Sequence, residues 1–153
     1  MPSKVRLFTL FLLIVLATGI LCACGNDAPE APSTSTSPAI TADVVEVIYF
    51  HRAQRCNSCT YAENGTRYTL ETYFEDELSS DRINFKSINV EDKENTAIIK
   101  RYGAFTSSLF INTIKDGTDH IAEVKEIWFI IGKDKAFVEV VKGKIEESLE
   151  GTR

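Results

Sequence analysis

The sequence predicts an α/β fold: a mixed central sheet of about four strands flanked by helices, in the order β-α-β-α-β-β-α. Three observations carry this. Val44-Val45-Glu46-Val47-Ile48-Tyr49-Phe50 is β-branched, aromatic and nearly continuously apolar, which suits a strand buried on both faces. Segments with helical spacing of apolar residues alternate with strand-like segments from there to the C-terminus. Lys115-Asp116-Gly117-Thr118 supplies a hairpin turn late in the chain.

Each element has a local reason. After the first strand and a loop from His51 to Arg55, a helical stretch runs from about Cys56 to Leu78. Cys59, Ala62, Leu70, Tyr73, Phe74 and Leu78 fall on its apolar side. Asn64-Gly65 interrupts that pattern and is expected to bend or split the helix. Ile83 to Val90 alternates as a second strand. Asp92 or Asn89 is placed to cap a helix carrying Ala97, Ile98, Ile99 and Tyr102, which Gly103 ends. Leu109 to Ile114 is a third strand, and the hairpin leads to a fourth near His120 to Val124. Ile127 to Ile131 is an apolar turn of helix. Lys133 to Leu149 closes the chain as an amphipathic helix with Phe137, Val140, Val141, Ile145 and Leu149 on one face. Because helices join the first three strands, those strands are expected to be parallel, with the hairpin adding an antiparallel edge.

Three segments are expected: a signal peptide over 1–23, a lipidated cysteine and flexible tether over 24–42, and the folded domain over 43–150. Lys4 and Arg6 precede an apolar run from Leu7 to Leu21, a positive region and hydrophobic stretch of secretory type that is too short to favour a lasting membrane span. Leu21-Cys22-Ala23-Cys24 then resembles the lipobox of bacterial-type lipoproteins. That resemblance implies cleavage after Ala23 and lipid attachment at Cys24; Cys22 fits worse, having Leu21 where a small residue is wanted. An uncleaved signal anchor is the alternative. Asn26 to Thr41 is rich in Pro, Ser, Thr and Ala without periodicity, as a tether should be. All four prolines lie in leader or tether, so the domain contains none.

Removing Lys4 and Arg6 leaves 15 of 17 basic residues against 22 acidic ones, a mature charge of −7 by formal count. An acidic surface argues against nucleic acid or anionic lipid as a partner. Membrane attachment would come from the lipid alone, whose several chains anchor stably where a single one does not.

With Cys22 removed and Cys24 blocked, the free thiols are Cys56 and Cys59. Cys56-Asn57-Ser58-Cys59 sits where a buried strand hands over to a long helix. Unpaired N–H groups and the dipole at a helix N-terminus favour an anion, so Cys56 should be held partly as thiolate. Cys59, one turn on, is close enough to bridge it. Cys56 would exchange with a substrate disulfide through a mixed disulfide that Cys59 resolves. Arg55 would lower the Cys56 pKa by its charge, and His51 could accept a proton; a solvated charge or a local hydrogen bond is the plainer role for both. Asn57 and Ser58, between the cysteines, join the candidate tuning or substrate-contacting residues. A structural zinc site wants about four N or S ligands, and only His51 lies near the two thiols, so no metal site is assigned. A staple disulfide closing so short a loop would constrain the unfolded chain least. No cofactor is expected beyond the Cys56–Cys59 redox pair.

Strand, CxxC, helix, Tyr102-Gly103 and a strand-hairpin-helix module together resemble thioredoxin-like proteins over roughly Val44 to Leu149. Tyr49-Phe50-His51, Arg55-Cys56-Asn57-Ser58-Cys59, Asn89-Val90 and Trp128 are similar to one branch, the thioredoxin-family ArsF-like proteins (nitrophenyl compound nitroreductase subunit). No flavin- or nicotinamide-binding motif is visible, and a nitroreductase activity is not carried over. Aligning Tyr102-Gly103 with the usual Tyr-Gly puts Ser108, behind Thr106 and Ser107, where thioredoxins have a cis-proline. The resemblance therefore implies a substrate-facing loop at Ser107 and Ser108, with a trans peptide because a cis bond before a non-proline residue is expensive. Arg55 replaces the tryptophan before the first cysteine, and Phe50 stands about where a buried acid assists proton transfer. The reading that follows is a thiol-disulfide oxidoreductase, lipid-anchored on the outer face of a membrane. Its substrates would be protein or small-molecule disulfides or dithiols, and its electrons as a reductase would come from a membrane thiol carrier. The alternative is a non-catalytic thioredoxin-fold module that docks a partner or handles a soft metal.

Overall fold

A computed structural model describes residues 41–151. The leader over 1–23, the lipidation site Cys24 and the tether up to residue 40 lie outside the described residues. The elements are β1 (Val44–His51), α1 (Asn57–Tyr73), α2 (Glu75–Ser79), β2 (Ile83–Asn89), α3 (Thr96–Tyr102), β3 (Ser108–Lys115), β4 (Thr118–Glu123) and α4 (Asp134–Leu149). Short 3₁₀ turns at Lys93–Asn95 and Lys125–Phe129 precede α3 and α4. The β-α-β-α-β-β-α order expected from the sequence is present, with the first helical stretch divided in two.

The sheet runs β2-β1-β3-β4, with β1 at its centre. β2 is parallel to β1, and the β3–β4 hairpin turns through Asp116 (φ 50°) and Gly117 (φ 71°), the left-handed pair that a two-residue hairpin requires. The expectation that β3 would be parallel to β1 is wrong: β3 is antiparallel, with Phe50 opposite Ser108. The connection's length decides this. β2 ends beside the C-terminal end of β1, and a parallel β3 would need the chain carried back the length of a strand, about 25 Å. The seven-residue α3 rises only about 10 Å. It ends at Gly103 in the left-handed region (φ 64°), as expected, and the chain enters β3 from the same end of the sheet that β2 left.

The central strand is buried on both faces, as its composition predicts. Val45, Val47 and Tyr49 face a core built with Ala62, Leu70, Phe137, Val141 and Ile145 of α1 and α4. Ile48 and Phe50 face a second core with Ile88, Tyr102 and Phe110, where the rings of Phe50, Tyr102 and Phe110 meet pairwise at 5.6–5.7 Å.

The first helix does not break at Asn64-Gly65. It runs on to Tyr73, and the interruption falls at Phe74, whose non-helical backbone (φ −136°, ψ 33°) separates α1 from α2. Gly65 has a packing role instead: a Cβ there would lie 2.7 Å from Cε1 and 2.9 Å from Cδ1 of the buried Phe137 ring. Alanine would gain about 1 kcal/mol of helix propensity, against roughly 1–3 kcal/mol for overpacking a core that cannot yield. Gly65→Ala is therefore expected to lower stability by about 1 kcal/mol, or roughly 4 °C in thermal unfolding, and an unchanged or raised midpoint would show that α4 gives way freely.

A polar network on the α3 side of the sheet was not foreseen. Glu46 of β1 lies opposite Asn112 of β3. Its Oε2 accepts from the Tyr102 hydroxyl at 2.6 Å and Asn112 Nδ2 at 3.0 Å, and pairs with Arg101 at 3.1 Å. Arg101 also donates twice to Asp119 of β4 at 2.8 and 2.6 Å. The network thereby ties α3 to β1, β3 and β4.

Candidate functional site

Cys56 is the N-cap of α1, in extended conformation, and its sulfur accepts from the Cys59 N–H at 3.1 Å. The two cysteines form a disulfide with Cα atoms 5.0 Å apart. A helix N-terminus directs its unpaired amides at whatever caps it, so the first sulfur sits where a thiolate would be stabilised. The second is one turn inside the helix. Cys56 is exposed and Cys59 half-buried.

Beneath Cys59 lies Tyr49. Its ring is fully buried, and its hydroxyl donates to the Cys59 carbonyl at 2.8 Å. Burial pushes the Tyr49 phenol above its ordinary pKa, while the Arg55 charge and hydrogen bonds from Ser107 and Arg55 pull the other way. The β1 residue facing the cysteine-bearing helix is therefore Tyr49, and Phe50 points into the opposite core, because alternate strand residues face opposite sides of a sheet. No acid takes the buried position, but a hydroxyl does.

The predicted residues fall into two groups. Ser107 is brought to the pair through Tyr49. Ser108 is buried at the start of β3, opposite Phe50, with its hydroxyl on the Thr106 carbonyl at 3.0 Å and a trans peptide before it. Asn57 and Ser58 are exposed on the first turn of α1. His51 and Arg55 adopt the plainer arrangement. His51 Nδ1 lies 3.0 Å from the Arg52 carbonyl, in the geometry of a local hydrogen bond. Arg55 pairs with Glu63 on α1 and places its guanidinium 5.9 Å from the centre of the Tyr49 ring.

Glu63, Glu91 and Phe105 escaped the sequence reading. Glu63 had a signal: Cys56, Cys59, Glu63 and Arg67 recur at spacings of three, four and four, one stripe along a helix. Glu91 takes Arg52 Nε at 2.9 Å and the Ala53 N–H at 3.0 Å, pinning the loop before Cys56 to the end of β2. The Ala53 amide and the Arg52 guanidinium hold its carboxyl below the usual range. Phe105 stands 90% exposed in the loop before Ser107, and exposure of so large a ring cannot be read from local sequence.

A cleft of about 520 Å³ beside the disulfide is lined by Arg52, Ala53, Gln54, Arg55, Cys56 and Glu91. A more apolar hollow of about 420 Å³ lies between α1 and α4, lined by Tyr61, Tyr68 and Phe137 among others. It touches neither cysteine, so the first cleft is the candidate site. Among the described residues no three His, Cys, Asp or Glu side chains converge to hold a metal, and no helix is long and apolar enough to cross a membrane. His120 is exposed on β4, paired with Thr113 towards the far end of the sheet.

No family model matches the chain, and no curated protein matches it. Solved structures similar to it include human ERp44 in a zinc-bound form, at 15% identity over 67% of this chain, TM-score 0.45. This chain spans 26% of ERp44's length. A malarial protein is 16% identical over 60% of this chain and 97% of its own, TM-score 0.36. A thioredoxin from Thermus thermophilus, solved in solution, is 20% identical over 61% of this chain and 78% of its own, TM-score 0.32. The fold follows from the chain's own geometry: a β2-β1-β3-β4 sheet with an antiparallel hairpin edge, helices on both faces and a CxxC disulfide at the N-terminus of the first helix make a thioredoxin-like fold.

Proposed function

We propose that this protein is a thiol-disulfide oxidoreductase working through Cys56 and Cys59. The observation that carries the reading is an exposed Cys56 whose sulfur caps α1 and is bridged to a half-buried Cys59. In the reducing direction the Cys56 thiolate attacks one sulfur of a substrate disulfide, forming a mixed disulfide and releasing the other as thiolate. Cys59, deprotonated, attacks the Cys56 sulfur, restoring the Cys56–Cys59 bond and releasing the second substrate thiolate. Two electrons pass to the substrate, and two protons complete its thiols. In the oxidising direction the steps reverse.

Ser107, linked to the pair through Tyr49, and the exposed Phe105 ring two residues before it are candidate substrate contacts. Arg52, Arg55 and Glu91 give the cleft polar walls of both signs. The leader and the Leu21-Cys22-Ala23-Cys24 segment support export and lipid attachment at Cys24, hence a place on the outer face of a membrane. A dithiol carrier in that membrane is the fitting electron source for a reductase there. The Tyr49-Phe50-His51, Arg55-Cys56-Asn57-Ser58-Cys59 and Asn89-Val90 segments support membership of the ArsF-like branch.

The test is the reduction potential of the pair, read by mass spectrometry of alkylated protein after equilibration in glutathione or dithiothreitol buffers. A value of roughly −120 to −270 mV is expected, the range of exchange catalysts. One below about −300 mV marks a structural bridge and removes the enzyme reading, leaving a docking module.

A further inference from the structure

Arg55 directly precedes the sulfur whose charge it should favour, yet its guanidinium is spent elsewhere. It is paired with Glu63 and lies against the Tyr49 ring. Glu63 is seven residues beyond Cys56 and four beyond Cys59, on the stripe that carries both. Its carboxylate lies between two guanidiniums, Arg55 on Oε2 and Arg67 on Oε1 at 3.4 Å, with its side chain only 12% exposed. Arg67 is itself stacked on Phe85 of β2 at 4.9 Å, so Glu63 is anchored from below as well. Tyr49, within reach of Arg55 and Ser107, connects the assembly to the Cys59 carbonyl. The other charged groups on this side, Arg52 and Glu91, are paired with each other, and His51 is turned to the Arg52 carbonyl.

We propose that Glu63 is a positioning residue for the redox pair: it holds the Arg55 guanidinium against Tyr49, offsets its charge, and keeps the pair towards the reducing side. The argument is Coulombic. A thiolate stabilised in the reduced state makes a disulfide more oxidising, because reduction then yields the more stable product. An anion one turn from Cys59, combined with an arginine held beside it, withdraws part of that stabilisation. Removing the anion leaves the site one unit more positive and frees Arg55 to approach Cys56.

The inference rests on the exchange chemistry proposed above, and the experiment separates the two. Full-length wild type, Glu63→Gln, Arg55→Gln and the double variant are equilibrated with glutathione. In this reaction the Cys56–Cys59 bond breaks, two glutathione thiols join as glutathione disulfide, and two protons and two electrons pass to the cysteines. The Cys56 thiol pKa is read in parallel from the pH dependence of its alkylation rate. Glu63→Gln is expected to shift the equilibrium constant three- to tenfold towards the dithiol, up to about 30 mV for this two-electron couple, and to lower the thiol pKa. Arg55→Gln is expected to move both the other way, and by more in the Glu63→Gln background than in wild type, since the two residues are coupled. A merely structural Glu63 would change the melting temperature while leaving potential and thiol pKa unmoved, and that result overturns the proposal. If wild type equilibrates only at potentials below about −300 mV, the exchange reading and this inference fail together. If wild type exchanges normally but Glu63→Gln matches it, this inference alone fails.

Discussion

Cys59→Ala is expected to convert the protein into a trap that accumulates mixed disulfides through Cys56, whereas Cys56→Ser lowers exchange to the uncatalysed background. The asymmetry follows from placement. Cys56 is the exposed helix cap, reached from the cleft walled by Arg52, Arg55 and Glu91. Cys59 is half-buried, and its carbonyl is held by Tyr49. With Cys59 removed, the first displacement still proceeds but nothing nearby attacks the mixed disulfide, so it persists until an external thiol arrives. Non-reducing gels and mass spectrometry of protein incubated with a disulfide-bonded substrate would read this. Equal trapping by the two single variants would mean that either sulfur attacks, and the assignment of roles would have to be withdrawn. No trapping by Cys59→Ala would leave the fold intact and refute the exchange chemistry.

The largest stability effect is expected at Glu46, far from the cysteines. Burial opposes its ionisation, but hydrogen bonds from Tyr102 and Asn112 and the charges of Arg101 and Lys86 outweigh that and hold its pKa below the ordinary value. Glu46→Ala leaves the Tyr102 hydroxyl without its acceptor, removes one of the two acceptors of the fully buried Asn112 amide, whose other is Asp119, and half-releases Arg101. Removing the shared acceptor from this half-buried network, whose Arg101 is 38% exposed, costs about 2 kcal/mol, which for a domain of this size is roughly 8 °C. The same network sets the acid limb. The hydrogen bonds from Arg101 and Asn112 lower the Asp119 pKa from 3.8 to about 2. A carboxylate with a depressed folded-state pKa binds fewer protons folded than unfolded. Its contribution is complete above the unfolded value and lost as pH falls through the folded one. Stability should therefore decline between about pH 4 and pH 2, and Asp119→Asn should flatten that decline in urea-unfolding measurements. A Glu46→Ala melting temperature within a degree or two of wild type would mean that solvent replaces the network.

The site shows which inferences local sequence supports. The α1 N-cap, the bridged pair, the Gly103 stop and the Asp116-Gly117 turn are decided within a few residues, and all lie where expected. Glu63 belongs to the same local geometry, visible as a stripe from Cys56 to Arg67, but the sequence does not say which way Arg55 turns. That depends on Tyr49, which reaches α1 only once the sheet is packed. Glu91 and Arg52, 39 residues apart, meet because β2 pairs with β1, so no window on the sequence contains both.

What the sequence by itself determined is the alternation of strands and helices, the burial of β1 on both faces and the position of the cysteine pair at a helix start. Each of these depends on periodicity, turn chemistry or end effects within a single element. Only the tertiary structure decided the direction of β3, the continuity of α1 through Gly65, the hydroxyl beneath Cys59 and the network around Glu46. The direction of β3 depends on how far α3 can carry the chain. The rest depend on which side chains packing brings together from different elements, and contacts of that kind join residues too distant along the chain for local periodicity to register.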